Sequence, residues 1–145
     1  MAASTIPPTS EAILVVDNDQ DMCWVLEVAL AGLGYVVKTV GTAQSAIASV
    51  ADHPFPVAFV DARLPDLDGL RLVEELRGLR PAMRIIMISG YYLEDDARIL
   101  KAMRESRIDG FLAKPFQIET IVKAAIDPDS GHFRPCSRAR PPAFR

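Results

Sequence analysis

Val57-Ala-Phe-Val60 carries no charge and no polar alternation, and it runs straight into a carboxylate, Asp61. A strand with one solvated face alternates apolar and polar side chains. A continuous apolar run of β-formers and small residues therefore reads as a strand buried on both faces of a parallel sheet. Pro54 and Pro56 before it, and Pro65 and Gly69 after it, are loop signals. Asp61 thus falls where the strand leaves the sheet, and in open α/β sheets ligands bind outside the carboxyl ends of the strands. A carboxylate placed there is partly shielded from water and can serve as a nucleophile or a metal ligand.

A strand covered on both faces needs helices for both, and the flanking sequence supplies them. Ala12-Ile-Leu-Val-Val16 is a second apolar run, ending in Asp17-Asn18-Asp19. Met22, Val25, Leu26, Ala29, Leu30 and Leu33 follow at i, i+3, i+4, i+7, i+8 and i+11, the spacing of one helix face. Gly34 stands where a helix end favours glycine. Tyr35 to Val40 reads as a strand, and a helix capped by Thr42 runs to about Ala51. A third helix, about Leu70 to Leu79, presents Leu72, Val73, Leu76 and Leu79 on one face and stops before Pro81. Arg84 to Ile88 is the fourth strand, leading into Ser89-Gly90. Leu93, Ala97, Leu100 and Met103 mark a fourth helix. Gly110 to Ala113 is a short fifth strand, ending in Lys114-Pro115, and Gln117 to Ile126 is a last helix closed by Pro128. Five β-α repeats predict an α/β parallel sheet with helices on both faces, joined by right-handed crossovers.

This pattern fills residues 11–126, enough for one domain whose core needs no disulfide or metal staple. Residues 1–10, with Pro7, Pro8 and several Ser and Thr, read as a flexible tail. Residues 127–145, rich in Pro and Arg, read as disordered or linker. The net charge is −3, and the four Arg and two Asp from 127 onward give that tail +2, leaving −5 on the rest. An acidic body argues against nucleic-acid binding by this chain. Cys23 lies in a helical pattern and Cys136 in the tail, without metal-ligand spacing, a usage that fits a reducing compartment. No apolar run approaches the roughly 18 residues of a membrane span. Residues 1–10 also lack the charge and apolar core of a signal peptide, so the expected location is the cytoplasm, with no membrane partner.

The strand ends carry the chemistry. The first gives Asp17 and Asn18, the third Asp61, the fourth Ser89 and the fifth Lys114, and in a parallel sheet these all lie on one edge. Two carboxylates with carbonyl oxygens can hold Mg²⁺ while several waters stay bound. The ion would screen the charge between Asp61 and an incoming phosphoryl group. Lys114 is a compact cation suited to a phosphoryl oxygen, and Ser89 can donate to another. Each residue alone has an ordinary reading: turn former or N-cap for the aspartates, turn for Ser89, solvated surface for Lys114. Their joint placement is far more specific.

Four stretches, Ile13-Leu-Val-Val-Asp-Asn-Asp19, Val60-Asp-Ala-Arg-Leu-Pro-Asp-Leu-Asp-Gly69, Ile86-Met-Ile-Ser-Gly-Tyr91 and Gly110-Phe-Leu-Ala-Lys-Pro-Phe116, resemble the receiver domain of bacterial two-component response regulators. The resemblance covers roughly residues 11–126. It implies a flavodoxin-like (βα)5 doubly wound sheet in the strand order 2-1-3-4-5. It also implies that Asp61 accepts a phosphoryl group from a phosphohistidine on a sensor histidine kinase or histidine phosphotransfer protein. Asp17 and Asn18 would reach Mg²⁺ from the first strand end, with Asp61 and the backbone carbonyl of Arg63 completing the protein ligands. Ser89 would be the switch hydroxyl, Phe111 the switch aromatic and Lys114 the phosphoryl-contacting lysine, with a cis peptide before Pro115. Phosphorylation would then repack the face of helix four, strand five and helix five by biasing a two-state element. A homodimer through that face would follow by analogy alone.

Two departures from the family pattern stand out. Asn18 replaces a usual second acid and brings no charge, which predicts weaker Mg²⁺ binding; Asp19 reads as an N-cap rather than a substitute ligand. Arg107-Ile108 stands where Gly-Ala is common. Arg63 and Tyr91 flank the pocket and are placed to tune water access to an acyl phosphate, or are plain surface residues. Trp24 and Val28 lie opposite the core face of the first helix. With Phe116 they are candidates for partner docking, or are partly buried beside the last helix.

Three other readings compete. A dehalogenase-like phosphatase would share Asp17-Asn-Asp19 but wants a further acidic motif after the lysine, and Pro-Phe-Gln-Ile follows Lys114 instead. A flavin binder wants a phosphate loop where Asp17-Asn-Asp19 would repel phosphate. A receiver-like module that is not phosphorylated is compatible with Asn18. The Met1 start and the Arg/Pro-rich end lead to the expectation of a complete small protein, a stand-alone receiver or phosphorelay shuttle, over a receiver excised from a hybrid kinase or larger regulator. The chain is expected to be no enzyme beyond self-phosphotransfer and slow self-dephosphorylation.

Overall fold

The structure, a computed structural model, describes residues 12–90 and 96–114. Strands β1 (Ala12–Val16), β2 (Val36–Val40), β3 (Val57–Asp61), β4 (Arg84–Ser89) and β5 (Gly110–Ala113) alternate with helices α1 (Gln20–Ala31), α2 (Ala43–Asp52), α3 (Gly69–Leu79) and α4 (Ala97–Arg104). All strand pairs are parallel and the order is β2-β1-β3-β4-β5. The sequence-expected helix over 117–126, the two tails, Tyr91, Leu93, Pro115 and Phe116 lie outside the described residues.

Because successive strand residues point to opposite faces, the sheet divides its apolar side chains between two cores. Leu14, Val16, Ala58, Val60, Ile85 and Met87 face Ala46 and Val50 of α2, Leu72 and Leu76 of α3, and Ile99 and Ala102 of α4. Ile13, Val15, Phe59, Ile86 and Ile88 face Leu26 and Leu30 of α1. The central strand β3 is fully buried from Ala58 to Val60, as its unbroken apolar sequence requires. Among the described residues, no helix is long and apolar enough to cross a membrane.

Several helix ends differ from the sequence expectation. α1 ends at Ala31 with Gly32 as its cap, and Gly34 sits in the following turn at φ +97°. Leu33 lies beyond the last helical turn, so the 3.6-residue spacing no longer aims it inward, and it is 50% exposed. Leu79, the last residue of α3, is likewise exposed. On α4 the buried residues are Ile99 and Ala102, whereas Ala97 is exposed. The helix starts only after its Asp96 cap, and its charged residues Arg98, Lys101 and Arg104 take the outer face. The left-handed residue that closes α4 is Ser106, at φ +60°. The caps of α1 and α2 agree with expectation: Asp19 accepts from the Asp21 and Met22 amides, and Thr42 from the Ser45 amide.

Gly69 brings α3 against the end of β3. Its amide donates to the Ala62 carbonyl at 2.8 Å. A Cβ there would lie 2.7 Å from the Ala62 Cα and 2.9 Å from its carbonyl carbon, and would also press on the Asp61 carbonyl oxygen. These are backbone atoms and cannot yield locally. Gly69→Ala is therefore expected to destabilise the protein by about 1–3 kcal/mol. Gly78→Ala, where a Cβ meets nothing within 4 Å, should stabilise by about 0.5–1 kcal/mol. Urea denaturation of the two variants checks the opposite signs. By the same measurement Ser106→Gly is expected to stabilise by about 1 kcal/mol, because an L side chain in the left-handed region carries a steric penalty that glycine lacks.

Candidate functional site

The carboxyl ends of β1, β3, β4 and β5 deliver Asp17, Asp61, Ser89 and Lys114 to one edge of the sheet. Asp17 is buried, at 2% exposure, and a buried carboxylate persists only with partners. One oxygen accepts the Asp19 amide at 2.9 Å and the other accepts Lys114 Nζ at 3.1 Å. Its backbone is fixed as well: the amide donates to the Val40 carbonyl at 3.0 Å, and the carbonyl accepts Cys23 Sγ at 3.2 Å. Lys114 is anchored through its own amide, which donates to the Ser89 carbonyl at 2.7 Å and so ties the end of β5 to the end of β4.

Lys114 Nζ stands 3.9 Å from an Asp61 carboxylate oxygen. It thus lies between two carboxylates but is hydrogen-bonded to Asp17. The Asp61 side chain is 14% exposed. Burial pushes its carboxyl up to about 6, and the negative charge of Asp17 adds to the shift; Lys114 and the Arg63 amide pull it partly back. The Arg63 amide bond is long, at 3.4 Å, so it compensates little. One lysine does not neutralise two crowded carboxylates, and a divalent cation would.

The donor set fits such an ion. Asp17 and Asp61 supply the charge, and Asn18 and the Arg63 carbonyl are the neutral oxygen donors expected from the sequence. Among the described residues, no group of three or more His, Cys, Asp or Glu is gathered for a metal, and Asn18 stands at the β1 end where the family pattern places a second acid. Asn18 is exposed and opens onto a groove of about 510 Å³ bordered by Asp17, Trp24, Glu27, Gly41 and Pro65. A hard cation that keeps several waters suits a carboxylate pair at an open sheet edge.

The remaining sequence-nominated residues divide clearly. Ser89 is 1% exposed at the end of β4. Phe111 is 3% exposed and belongs to the core facing α2, α3 and α4, so its ring already points inward. Arg63 is exposed beside the pocket. Trp24 and Val28 are 66% and 53% exposed on α1, an outward placement rather than burial. One residue of the site region escaped the sequence reading. Asp66, in the loop between β3 and α3, accepts the Ala43 amide at 2.9 Å and the Gln44 amide at 3.0 Å. Those hydrogen bonds hold its carboxyl below the usual carboxylate range. Its sequence signal, Pro65-Asp66, reads only as a turn, because the partner is a helix start 22 residues away.

Comparison with known proteins agrees with this geometry. The family model for the response regulator receiver domain matches residues 13–126. Transcriptional regulatory protein ZraR of Escherichia coli (strain K12) is 28% identical over 109 residues, 75% of this chain and 24% of that protein. DNA-binding transcriptional regulator NtrC of Salmonella typhimurium is 31% identical over 122 residues, 84% of this chain and 25% of that protein. The chain spans about a quarter of the length of these curated relatives. Among solved structures, a CheY-like receiver domain protein from Methanospirillum hungatei JF-1 superposes with a TM-score of 0.75 at 27% identity, covering 81% of this chain and 91% of that one. A response regulator from Burkholderia pseudomallei, described with a phosphorylated aspartic acid, calcium ion and citrate, gives 0.72 at 29% identity, covering 79% and 66%.

The raised Asp61 carboxyl sets a pH dependence. Its folded value, about 6, exceeds the ordinary 3.8, so ionising it costs stability. The cost is absent below the ordinary value and full above the folded one. Without divalent metal, Asp61→Asn is expected to be more stable than wild type by about 1–2 kcal/mol near pH 7.5, after allowing for solvent screening of a partly exposed group. The gap should shrink as pH falls through about 6. Urea midpoints measured across this range check it, and equal midpoints at the higher pH would contradict the assignment.

Proposed function

The chain belongs to the response regulator receiver domain family, and from that premise we propose that it is a phosphorelay receiver in which Asp61 accepts a phosphoryl group from a phosphohistidine. The observation that carries the reading is the pairing of Asp61 with Lys114 Nζ, 3.9 Å away, beside a second, buried carboxylate at an open sheet edge. An Asp61 oxygen forms the new O–P bond as the donor's N–P bond breaks and its electron pair returns to the imidazole. Lys114 Nζ turns from Asp17 to a phosphoryl oxygen, and the Ser89 hydroxyl donates to another. Mg²⁺, held by Asp17, Asn18, Asp61 and the Arg63 carbonyl, would screen charge between Asp61 and the phosphoryl group. The phosphorylated aspartic acid and calcium ion of the Burkholderia structure support this assignment by likeness.

The donor in this reading is a sensor histidine kinase or a histidine phosphotransfer protein, with exposed Trp24 and Val28 beside the groove as its docking surface. Output passes through the face of α4 and β5, where Ser89 and the loop after β4 respond to the phosphoryl group. Phe111 starts from an inward position, so the switch in this chain rests more on the Ser89 loop than on a ring turning from solvent to core. Its chemistry is self-phosphotransfer and slow self-dephosphorylation, and the cytoplasm is the compartment that supplies its donors. A second reading, a receiver-like interaction module that is not phosphorylated, is favoured by one observation: among the described residues, no third acid joins Asp17 and Asp61 as a group that could hold a metal.

Intact-mass spectrometry after incubation with Mg²⁺ and acetyl phosphate separates these readings. One added phosphoryl group on wild type and none on Asp61→Ala is the expected outcome. No addition at high Mg²⁺ supports the unphosphorylated module, and an addition that survives Asp61→Ala moves the chemistry to another side chain. Asn18→Asp should tighten Mg²⁺ binding by at least about fivefold, because it adds a charge within coordination reach of a dication. Calorimetric titration checks this, with equal affinities as the contrary result.

A further inference from the structure

The loop from Ala62 to Asp68 connects Asp61 to α3, and its two ends are tied at the base. The Gly69 amide donates to the Ala62 carbonyl at 2.8 Å, Arg63 and Asp68 form an isolated antiparallel bridge, and Asp68 caps α3 by accepting the Leu70 amide at 2.9 Å. The tip is held differently. Leu64 and Leu67 pack against the core, but Pro65 and Asp66 are exposed. There the loop is tied by the Asp66 carboxylate, one oxygen on the Ala43 amide and the other on the Gln44 amide of α2.

The same bonds complete the start of α2. A helix leaves its first amides without internal partners. Thr42 Oγ1 accepts the Ser45 amide at 3.1 Å, and the Ala46 amide donates to the Thr42 carbonyl at 3.1 Å, which begins the helical ladder. The Ala43 and Gln44 amides remain, and Asp66 takes both. α2 thus has a local cap, Thr42, and a remote one, Asp66. Only the remote one also belongs to the loop that carries Arg63 and Pro65 beside the carboxylate pair.

We propose that Asp66 is a positioning residue for the metal and phosphoryl pocket: by clamping the loop tip to α2, it fixes the segment that presents Arg63 next to Asp61. This inference rests on the reading of Asp61, Asp17 and Arg63 as the Mg²⁺ pocket. The two-point carboxylate grip restrains both the position and the tilt of the loop. Without it, the loop retains its base contacts but its tip is free to lift from α2, carrying Pro65, a wall of the groove next to Asn18. Residues that orient metal ligands from outside the coordination sphere commonly matter about tenfold or more in affinity.

The test compares wild type, Asp66→Ala and Thr42→Ala in the full chain. Mg²⁺ is titrated against the fluorescence of Trp24, the single tryptophan, and amide hydrogen exchange is followed at Ala43 and Gln44. Thr42→Ala weakens the start of α2 but leaves the clamp intact, so it controls for a purely structural loss. Asp66→Ala is expected to weaken Mg²⁺ binding about tenfold and to speed exchange at both amides, whereas Thr42→Ala should leave Mg²⁺ affinity within about twofold of wild type. Unchanged Mg²⁺ affinity in Asp66→Ala, with wild type binding normally, overturns the role of Asp66 alone. Equal losses in both variants overturn it too, because helix stability and not loop position would then be the cause. No Mg²⁺ response in wild type defeats the pocket reading itself and this inference with it.

Discussion

A single ammonium group stands between two carboxylates at the edge of the sheet, and much of the site follows from that. Lys114 bonds Asp17 at 3.1 Å and stands 3.9 Å from Asp61. One positive charge offsets one buried negative charge and leaves the second underneutralised. The arrangement is tolerable because the sheet edge is open to water on one side and because the backbone at every strand end is fixed by its neighbours. Asp61 is the less satisfied partner, and so the carboxylate that an added cation would stabilise more.

That imbalance gives Asn18 its weight. With an acid there, the edge would hold three negative charges against Lys114, and a dication would be bound tightly at the expense of the metal-free fold. With asparagine, the sheet edge bears less repulsion, and a dication placed there would find fewer charges. In the proposed reading, stability of the free protein and affinity for a metal would thus be set against each other by one side chain on the β1–α1 loop.

The loop after β3 shows how a backbone excursion is given a defined shape without regular structure. Its base uses main-chain hydrogen bonds and the absence of a Cβ at Gly69. Its tip uses a carboxylate that does double service, satisfying two helix amides and restraining the loop. Helix α2, which has no side chain among the proposed pocket ligands, is thereby tied to the loop that follows Asp61.

The sequence by itself determined the element order and the parallel sheet, because an apolar run such as Val57 to Val60 has no other economical burial. It also determined which residues end the strands, and hence that Asp17, Asp61, Ser89 and Lys114 share an edge. Local chemistry was legible too: Asp19 and Thr42 cap the helices as their positions suggest, since a cap and its amides lie within three residues of each other. Helix register near the ends was not. Leu33 and Leu79 match an apolar face by spacing yet are exposed, because periodicity says nothing about where the helix stops or where the sheet beneath it ends. Only the tertiary structure decided that Lys114 pairs first with Asp17, that Phe111 lies inside and Trp24 outside, and that Asp66 meets the start of α2. Each depends on which side chains arrive from distant parts of the chain within hydrogen-bonding range, a distance that sequence separation does not encode.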